Sequence, residues 1–324
     1  MAAEGGDIIR HDYTYRGEEG EVIPDLATHI FVQARVIRRE AFDRHRNIVE
    51  VICHEDVEKI EQEAFLWCRS LRRVIMRGVK IVEQEAFWDC SALEELECDK
   101  LETVGDSAFC HCSLKSINLP SARILKKAAF ANCKAMTDVK FGSKLEEIEE
   151  AAFNHCISLE RITIPLKDGL IVEDNTFMSC GNLSHVDLVE GELHETIAAL
   201  HLEEWRNDMN EALGSINQIL LNAAAGGYSF DEEPDPGGKA QAIRRWIRSV
   251  LLKIILYQDE HHRLLSEAAT TLEPVLPNND IVMNNVLPFL ELPSHTFEMG
   301  GDDEATRRLN FELLRIVVSD EEEE

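Results

Sequence analysis

The apolar residues between positions 37 and 188 recur with a period of just over twenty residues. Each period contains a Phe, usually after an Ala, and successive copies are 21 to 24 residues apart: Phe42, Phe65, Phe87, Phe109, Phe130, Phe153 and Phe177. An aliphatic residue lies five positions before each Phe, and a Leu, Ile or Met lies five or six positions after it. Because one such unit cannot bury its apolar face alone, the pattern predicts a solenoid of seven stacked repeats.

Two elements are predicted within each repeat. The C-terminal part follows L-x-x-L-x-L, as in Leu159, Ile162 and Ile164. Its alternating apolar residues indicate a short strand with one buried face. The part from Ile148 to Phe153 has apolar residues four to five apart, which favours a helical or 3₁₀ turn. The expected fold class is therefore α/β: a solenoid with a parallel concave sheet and helical or 3₁₀ convex turns.

The clearest copy, residues 148–165, carries the signature A-F-x-x-C-x-x-L-x-x-I-x-I-P. This signature resembles the BspA-like class of leucine-rich repeat proteins over roughly residues 22–190. The first copy has His45 in place of Cys and the last has Thr176 in place of Ala, as expected of repeats that cap an open end. The resemblance implies a protein-interaction scaffold, and it does not imply catalysis.

The flanking segments have different patterns. Residues 1–21 are polar and predict a flexible N-terminus, although Tyr13 and Tyr15 alternate as in an edge strand. Residues 22–190 form the repeat domain, which begins with an N-terminal cap. Residues 191–292 predict an α-helical domain, with helices near 190–222 and 239–272 packed as a hairpin and a short helix within 280–292. Residues 293–324 predict a linker, a short helix and an acidic tail. Similar helical tails follow the repeats in some protist members of the class.

The charge of the chain restricts its partners. The 324 residues carry a formal net charge of −28, which disfavours nucleic acid and anionic membranes as partners because both need clustered Lys and Arg. Residues 35–80 are an exception, with 11 Lys and Arg against 8 Asp and Glu. Neither a signal peptide nor an apolar run of 18 residues is found in the sequence. The expected location is therefore the cytoplasm or the nucleus.

The outward positions of the predicted strands form the candidate binding surface. A protein partner of unknown identity is expected to contact Glu50, His54, Arg73, Ile75, Arg77, Glu95, Glu97, Asp99, Asn118, Asp138, Lys140, Arg161, Thr163, His185 and Asp187. Two interpretations remain open. Adjacent rows of opposite charge neutralise each other as a solvated surface, or they select a partner by charge, with Arg73 and Arg77 meeting an acidic segment.

The nine cysteines offer the main alternative. Six of them occupy one repeat position: Cys68, Cys90, Cys112, Cys133, Cys156 and Cys180. Their register predicts buried free thiols that act as small apolar groups. A redox- or metal-responsive protein that uses this cysteine column, with Cys110-His111-Cys112 and a neighbouring column cysteine as metal ligands, is one alternative. An enzyme with its site in the C-terminal helices is another. Because no catalytic motif is found, we predict no catalytic residue, cofactor or metal site, and the favoured function is a non-catalytic scaffold that binds a protein on its concave face.

Overall fold

The computed structural model describes residues 12–167, 169–189, 203–225 and 238–272. The short helices predicted within 280–292 and 293–324 and the acidic tail lie outside the described residues. Sixteen short strands form the first part of the described chain, and two helices follow. Every strand pairing within it is parallel. The chain therefore winds as a β-solenoid of about seven turns, as the sequence predicts.

The longer strands lie on one side of the solenoid, in two sheets. The first sheet has the order β1-β2-β4-β6-β8, with strands Tyr13–Tyr15, His29–Val32, Glu50–Cys53, Arg73–Ile75 and Glu95–Glu97. The second has the order β10-β12-β14-β16, with strands Ser116–Leu119, Asp138–Phe141, Arg161–Ile164 and His185–Leu188. Their side chains alternate between the core and solvent. We call the solvent-facing side of these strands the concave face.

The side opposite the concave face consists of short strands and tight turns, and not of the helical or 3₁₀ turns that the sequence predicts. A two-residue strand before each Phe contributes to a third sheet, with the order β3-β5-β7-β9-β11-β13-β15. These strands are, in the same order, Val36–Ile37, Lys59–Ile60, Ile81–Val82, Thr103–Val104, Ile124–Leu125, Glu147–Ile148 and Ile171–Val172. Tight turns follow each of these strands. No helix or 3₁₀ segment occurs in the described residues before Glu203.

Left-handed backbone conformations explain why these turns are not helical. The residues two before and two after each Phe have φ between 52° and 64°, and none of them is a glycine. Helix φ values are negative, so a helix cannot run through such a residue. The conformation lets the amide reach the next repeat, as when Trp67 N–H donates to the Trp88 carbonyl at 2.9 Å and Asn132 N–H donates to Asn154 at 2.8 Å. The inter-repeat hydrogen bonds thus offset a local cost of about 1–2 kcal/mol per residue.

The seven phenylalanines form a single column through the core. Neighbouring rings are nearly parallel, at angles of 2° to 9°, and their centroids are 4.7 to 5.8 Å apart. The first six phenylalanines are at most 1% exposed, and the last, Phe177, is 5% exposed. Tyr15 covers the first ring, with its centroid 5.1 Å from that of Phe42.

A second column consists of the six repeat cysteines. Each thiol donates to the carbonyl oxygen of the Phe in the preceding repeat, over distances of 3.0 to 3.3 Å. A carbonyl buried in this core needs a donor, and a thiol is a weak donor small enough to fit. All nine cysteines are free and buried, as the repeat register predicts for these six.

The concave face is interrupted between β8 and β10. Cys112 and Leu114 are separated by one residue, whereas Cys90 and Leu93 are separated by two. In other repeats one or both amides after the core Leu, Ile or Met donate to the preceding repeat, as when those of Glu94 and Glu95 donate to the Arg72 carbonyl. At this point the described chain has no equivalent bonds from Lys115 and Ser116 to Glu94. The shorter turn keeps Leu114 in the core but breaks the sheet.

Polar side chains hold the N-terminal cap, which includes β1 within the segment 1–21. Asp12 accepts hydrogen bonds from the amides of Thr28 and His29. Glu21 accepts them from the amide of Arg16 and from the hydroxyl of Tyr13. These contacts join the first strand to the rest of the cap.

Two helices cover the C-terminal end of the solenoid. Helix α1 (Glu203–Ala225) and helix α2 (Gly238–Leu272) run antiparallel, because Trp246 donates to the Ala212 carbonyl while Lys253 pairs with Asp208. The predicted hairpin is therefore observed. Buried side chains line both helices, among them Met209, Ile216, Leu220, Ile243, Ile247, Val250 and Ile254.

Side chains of the hairpin supply hydrogen bonds that an eighth repeat would otherwise make. In the preceding repeat, the carbonyl of Ile148 accepts a hydrogen bond from the amide of Glu173. The equivalent carbonyl in the last repeat is that of Val172, and the Arg244 side chain donates to it. Lys239 Nζ donates to the carbonyls of Cys180, Gly181 and Leu183 at 2.6 to 3.0 Å. Burial lowers the pKa of Lys239 to about 8.

Candidate functional site

The outward residues predicted from the sequence lie on the concave face. Strand register places them in lateral rows across neighbouring repeats. One row contains Glu50, Arg73 and Glu95, and the adjacent row contains Ile52, Ile75 and Glu97. Beyond the break, one row contains Asp138, Arg161 and His185, and its neighbour contains Asn118, Lys140, Thr163 and Asp187. His54 directly follows β4, and Arg77 and Asp99 lie two residues after the ends of β6 and β8. The predicted residues therefore share one face, which the break divides into two parts.

An apolar row crosses the N-terminal part of this face. Phe31 pairs with Ile52, and Ile52 pairs with Ile75 in the next strand. All three side chains point to solvent and are partly exposed. The His54 ring lies edge-on to Phe31, with centroids 6.4 Å apart. The row ends at Glu97.

Sequence reasoning missed Phe31 as a surface residue, since the cap lacks the Ala-Phe core that marks a repeat. The period itself carries the signal, because Phe31 lies 21 residues before Ile52 and Ile52 lies 23 before Ile75. Extending the strand register by one turn would have found it.

Arg73 is the centre of an ionic cluster beside the apolar row. Its guanidinium lies 3.1 Å from Glu50, 3.2 Å from Glu95 and 3.1 Å from Glu97. The Arg73 side chain is 38% exposed and that of Glu50 only 16%. Burial opposes the charge on Arg73, but hydrogen bonds to Glu97 and Glu50 raise its pKa. The arginine is therefore fully charged and already surrounded by carboxylates.

Arg77 is paired in the same way. Its Nε donates to Glu97 at 2.9 Å, and this contact lowers the pKa of Glu97. In the C-terminal part of the face, Arg161 lies 2.6 Å from Asp187. Most arginines of the concave face thus find their partners within the protein, in line with the first of the two interpretations of its charge pattern.

The alternating charges continue along the flank of the solenoid. Arg35 lies 2.8 Å from Glu58, Lys115 lies 2.9 Å from Glu94, and Arg123 lies 2.9 Å from Glu146. Each pair joins neighbouring repeats. A shallow cavity of about 420 Å³ lies on this flank, and its lining includes Arg35, Lys80 and Lys100 with Glu55, Asp56 and Glu58. Its charges balance, so it does not select an anion or a cation.

The structure separates the residues of the Cys110-His111-Cys112 sequence. Cys112 points into the core and donates to the Phe87 carbonyl. His111 is exposed and its ring lies 5.8 Å from that of Trp88. Among the described residues no group of three or more His, Cys, Asp or Glu side chains is arranged to hold a metal ion. Burial raises the pKa of the Cys110 thiol, so a reactive thiolate is not favoured there.

Aromatic contacts also cross the turns on the side of the third sheet. Arg44 lies over the Trp67 ring at 4.3 Å, and Trp67 and Trp88 meet edge to face at 5.6 Å. Both indoles are partly exposed. Neither of the two described helices is long and apolar enough to cross a membrane.

Comparison with known proteins agrees with this geometry. The family model described as BspA type leucine rich repeat region (6 copies) matches residues 27–125 and 102–199. These matches cover more than half of the chain. No curated protein matches it significantly.

Several solved structures share part of the fold. A leucine-rich repeat protein from Bacteroides ovatus is 23% identical, with a TM-score of 0.41, over 52% of this chain and 48% of that protein. The T. pallidum leucine-rich repeat protein is 28% identical, with a TM-score of 0.38, over 44% of this chain and 72% of that protein. The match thus spans about half the length of the Bacteroides ovatus protein. On the evidence of the stacked turns, the Phe and Cys columns and the family match, the chain belongs to the BspA-type leucine-rich repeat family.

Proposed function

We propose that the chain is a non-catalytic scaffold that binds a protein partner on the N-terminal part of its concave face. Leucine-rich repeat proteins generally serve in protein interactions and are typically non-catalytic. The observation that supports this site is the apolar row of Phe31, Ile52 and Ile75 on the solvent side of an otherwise charged surface.

The composition of this surface is that of a binding centre. Aromatic residues and Arg are enriched among the residues that dominate protein interfaces, and such residues are commonly surrounded by polar groups that exclude water. The row combines Phe31 with two isoleucines and has Arg73 at its edge. Arg73 is held in place by three carboxylates, so little side-chain entropy is lost when a partner covers it. The C-terminal part of the face has polar residues in the equivalent row.

Affinity capture from a lysate of the cells that make the protein tests this proposal with one pair of matched variants. Ile75→Glu places a charge in the apolar row. Ile81→Glu makes the same exchange on β7, in the third sheet, where Ile81 is 40% exposed. Wild type and Ile81→Glu should capture the same partner, and Ile75→Glu should capture about tenfold less or none, which corresponds to about 1.4 kcal/mol or more.

Both variants need the fold of the wild type, which circular dichroism and thermal unfolding check. Equal capture by all three proteins would place the interaction elsewhere, and the helical hairpin would then be the next surface to test.

A further inference from the structure

We infer that the concave face takes a basic, apolar polypeptide segment. Such a segment would place a large apolar side chain on Phe31, Ile52 and Ile75, and Lys or Arg side chains beside Glu95 and Asp99. This inference rests on the proposed function and reverses the expectation that Arg73 and Arg77 call for an acidic partner.

The first reason is that the two arginines are already compensated. Arg73 contacts three carboxylates, and Arg77 lies 2.5 Å from Glu97. An acidic ligand would have to displace these carboxylates or accept their repulsion, since like charges across an interface disfavour binding. The positive charges that residues 35–80 contribute to this surface are therefore already paired and do not attract an acidic ligand.

The second reason is the balance of charge around the apolar row. The outward residues of β2, β4, β6 and β8, together with the next outward position beyond each strand, include two arginines and four carboxylates: Glu50, Glu95, Glu97 and Asp99. The excess of negative charge lies along β8, where the Glu95 side chain is 70% exposed and Asp99 is also exposed. The whole chain has a net charge of −28, which adds a long-range attraction for cations.

The third reason is the break beside β8. No amide of the described chain donates a backbone hydrogen bond to the Glu94 carbonyl, whereas the equivalent carbonyl of Arg72 accepts from Glu94 and Glu95. Carbonyl and carboxylate oxygens both accept hydrogen bonds, and the ammonium of Lys and the guanidinium of Arg only donate them. The chemistry along this edge is therefore that of an acceptor for cationic side chains.

The position of the row sets the arrangement of the ligand. The apolar residues lie on β2, β4 and β6, and the acidic residues follow on β8, one strand further along the solenoid. A bound segment that crosses the strands would thus meet apolar contacts first and acidic contacts next. Its apolar anchor and its Lys or Arg residues should be close in its own sequence.

Selection from a random 12-residue peptide library displayed on phage tests this inference on the full chain. Enriched peptides should carry a net positive charge and at least one large apolar residue. Synthetic copies should bind Glu95→Gln/Asp99→Asn about tenfold more weakly than wild type. The matched control Glu147→Gln/Asp106→Asn removes one Glu and one Asp from the side of the third sheet and should bind like wild type. Raising the salt concentration should weaken binding.

The outcomes separate this inference from the proposed function. Enrichment of acidic or uncharged peptides that do not bind Ile75→Glu would contradict the inference that the ligand is basic, but it would support binding on the concave face. Peptides that bind Ile75→Glu as well as wild type would overturn both. Failure to enrich any peptide over a background selection would also count against the inference.

Discussion

Single residues at fixed repeat positions hold the solenoid together through the core. The sequence alone predicts the Phe column and the burial of the cysteines, because their spacing follows the repeat. It does not predict that each thiol donates to the Phe carbonyl of the preceding repeat, nor that residues such as Trp67 and Ala151 adopt positive φ. Glycine is the usual signal for that conformation, and here the hydrogen bonds of the stack select it instead.

Removal of one ring from the Phe column should be costly. Phe109 is fully buried between Phe87 and Phe130, with centroid distances of 5.0 and 5.2 Å. Phe109→Ala should lower the free energy of unfolding by about 3–5 kcal/mol through the cavity that it leaves, measured by urea unfolding. Ile157→Ala truncates a side chain that is 49% exposed and should cost less than about 0.5 kcal/mol. Similar losses for both variants would contradict the role of the column.

At the scale of elements, the strands are predicted from their alternation and the turns are not. The strand pattern depends on which side chains are buried, and the sequence shows this directly. The turns depend on backbone hydrogen bonds between repeats, and apolar spacing of four to five residues does not distinguish them from a helical turn. The break between β8 and β10 follows from a single missing residue after Cys112, which is visible in the sequence because Leu114 lies five residues after Phe109 instead of six.

The break should be visible in hydrogen exchange. The amides of Lys115 and Ser116 have no backbone acceptor across the break, whereas those of Glu160 and Arg161 donate to the Thr137 carbonyl at 2.9 and 3.1 Å. We expect the first pair to exchange about a hundredfold faster than the second, because exchange requires a broken hydrogen bond. NMR measurement of single amides tests this. Equal protection of the two pairs would mean that the sheet is continuous in solution.

The N-terminal cap should be the acid-sensitive element. Burial would raise the pKa of Asp12 and Glu21, but hydrogen bonds from Thr28 and His29 to Asp12, and from Arg16 and Tyr13 to Glu21, lower both. A carboxyl group with a lowered pKa stabilises the folded state above its unfolded pKa, and this contribution is lost as the pH falls through the folded value. Protection of the Tyr13–Tyr15 amides should therefore fall below about pH 4.

The double variant Asp12→Asn/Glu21→Gln serves as the control for this pH dependence. In this variant the Tyr13–Tyr15 amides should be less protected than in the wild type at neutral pH, and their protection should fall little further in acid. Full protection of β1 at pH 3 in the wild type would contradict the assignment.

In the whole molecule, the described residues form a solenoid with a different cap at each end. The N-terminal cap continues the strand pattern, and the C-terminal cap is a helical hairpin that satisfies the last turn with side chains. The change of apolar period predicts the hairpin, but the sequence does not show that Lys239 and Arg244 contact the last repeat. These contacts join residues about 56 to 72 positions apart, and no local pattern reports them.

Adjacent arginines of α2 provide a test of this cap. Arg244 donates to the Val172 carbonyl and to Asp174, whereas Arg245 is exposed. Arg244→Met should lower the free energy of unfolding by about 1–3 kcal/mol, because it leaves a carbonyl without its donor. Arg245→Met should change it by less than about 0.5 kcal/mol. Thermal and urea unfolding compare the two, and equal effects would show that the hairpin does not depend on this contact.

Site-specific photo-crosslinking tests whether a partner binds on the N-terminal part of the concave face. A benzophenone amino acid is placed at Ile75 in one protein and at Ile81 in another, and each is irradiated with the captured partner. Binding on the concave face should give a cross-linked complex from position 75 and none above background from position 81. A cross-link from position 81 alone, or equal yields from both positions, would contradict it.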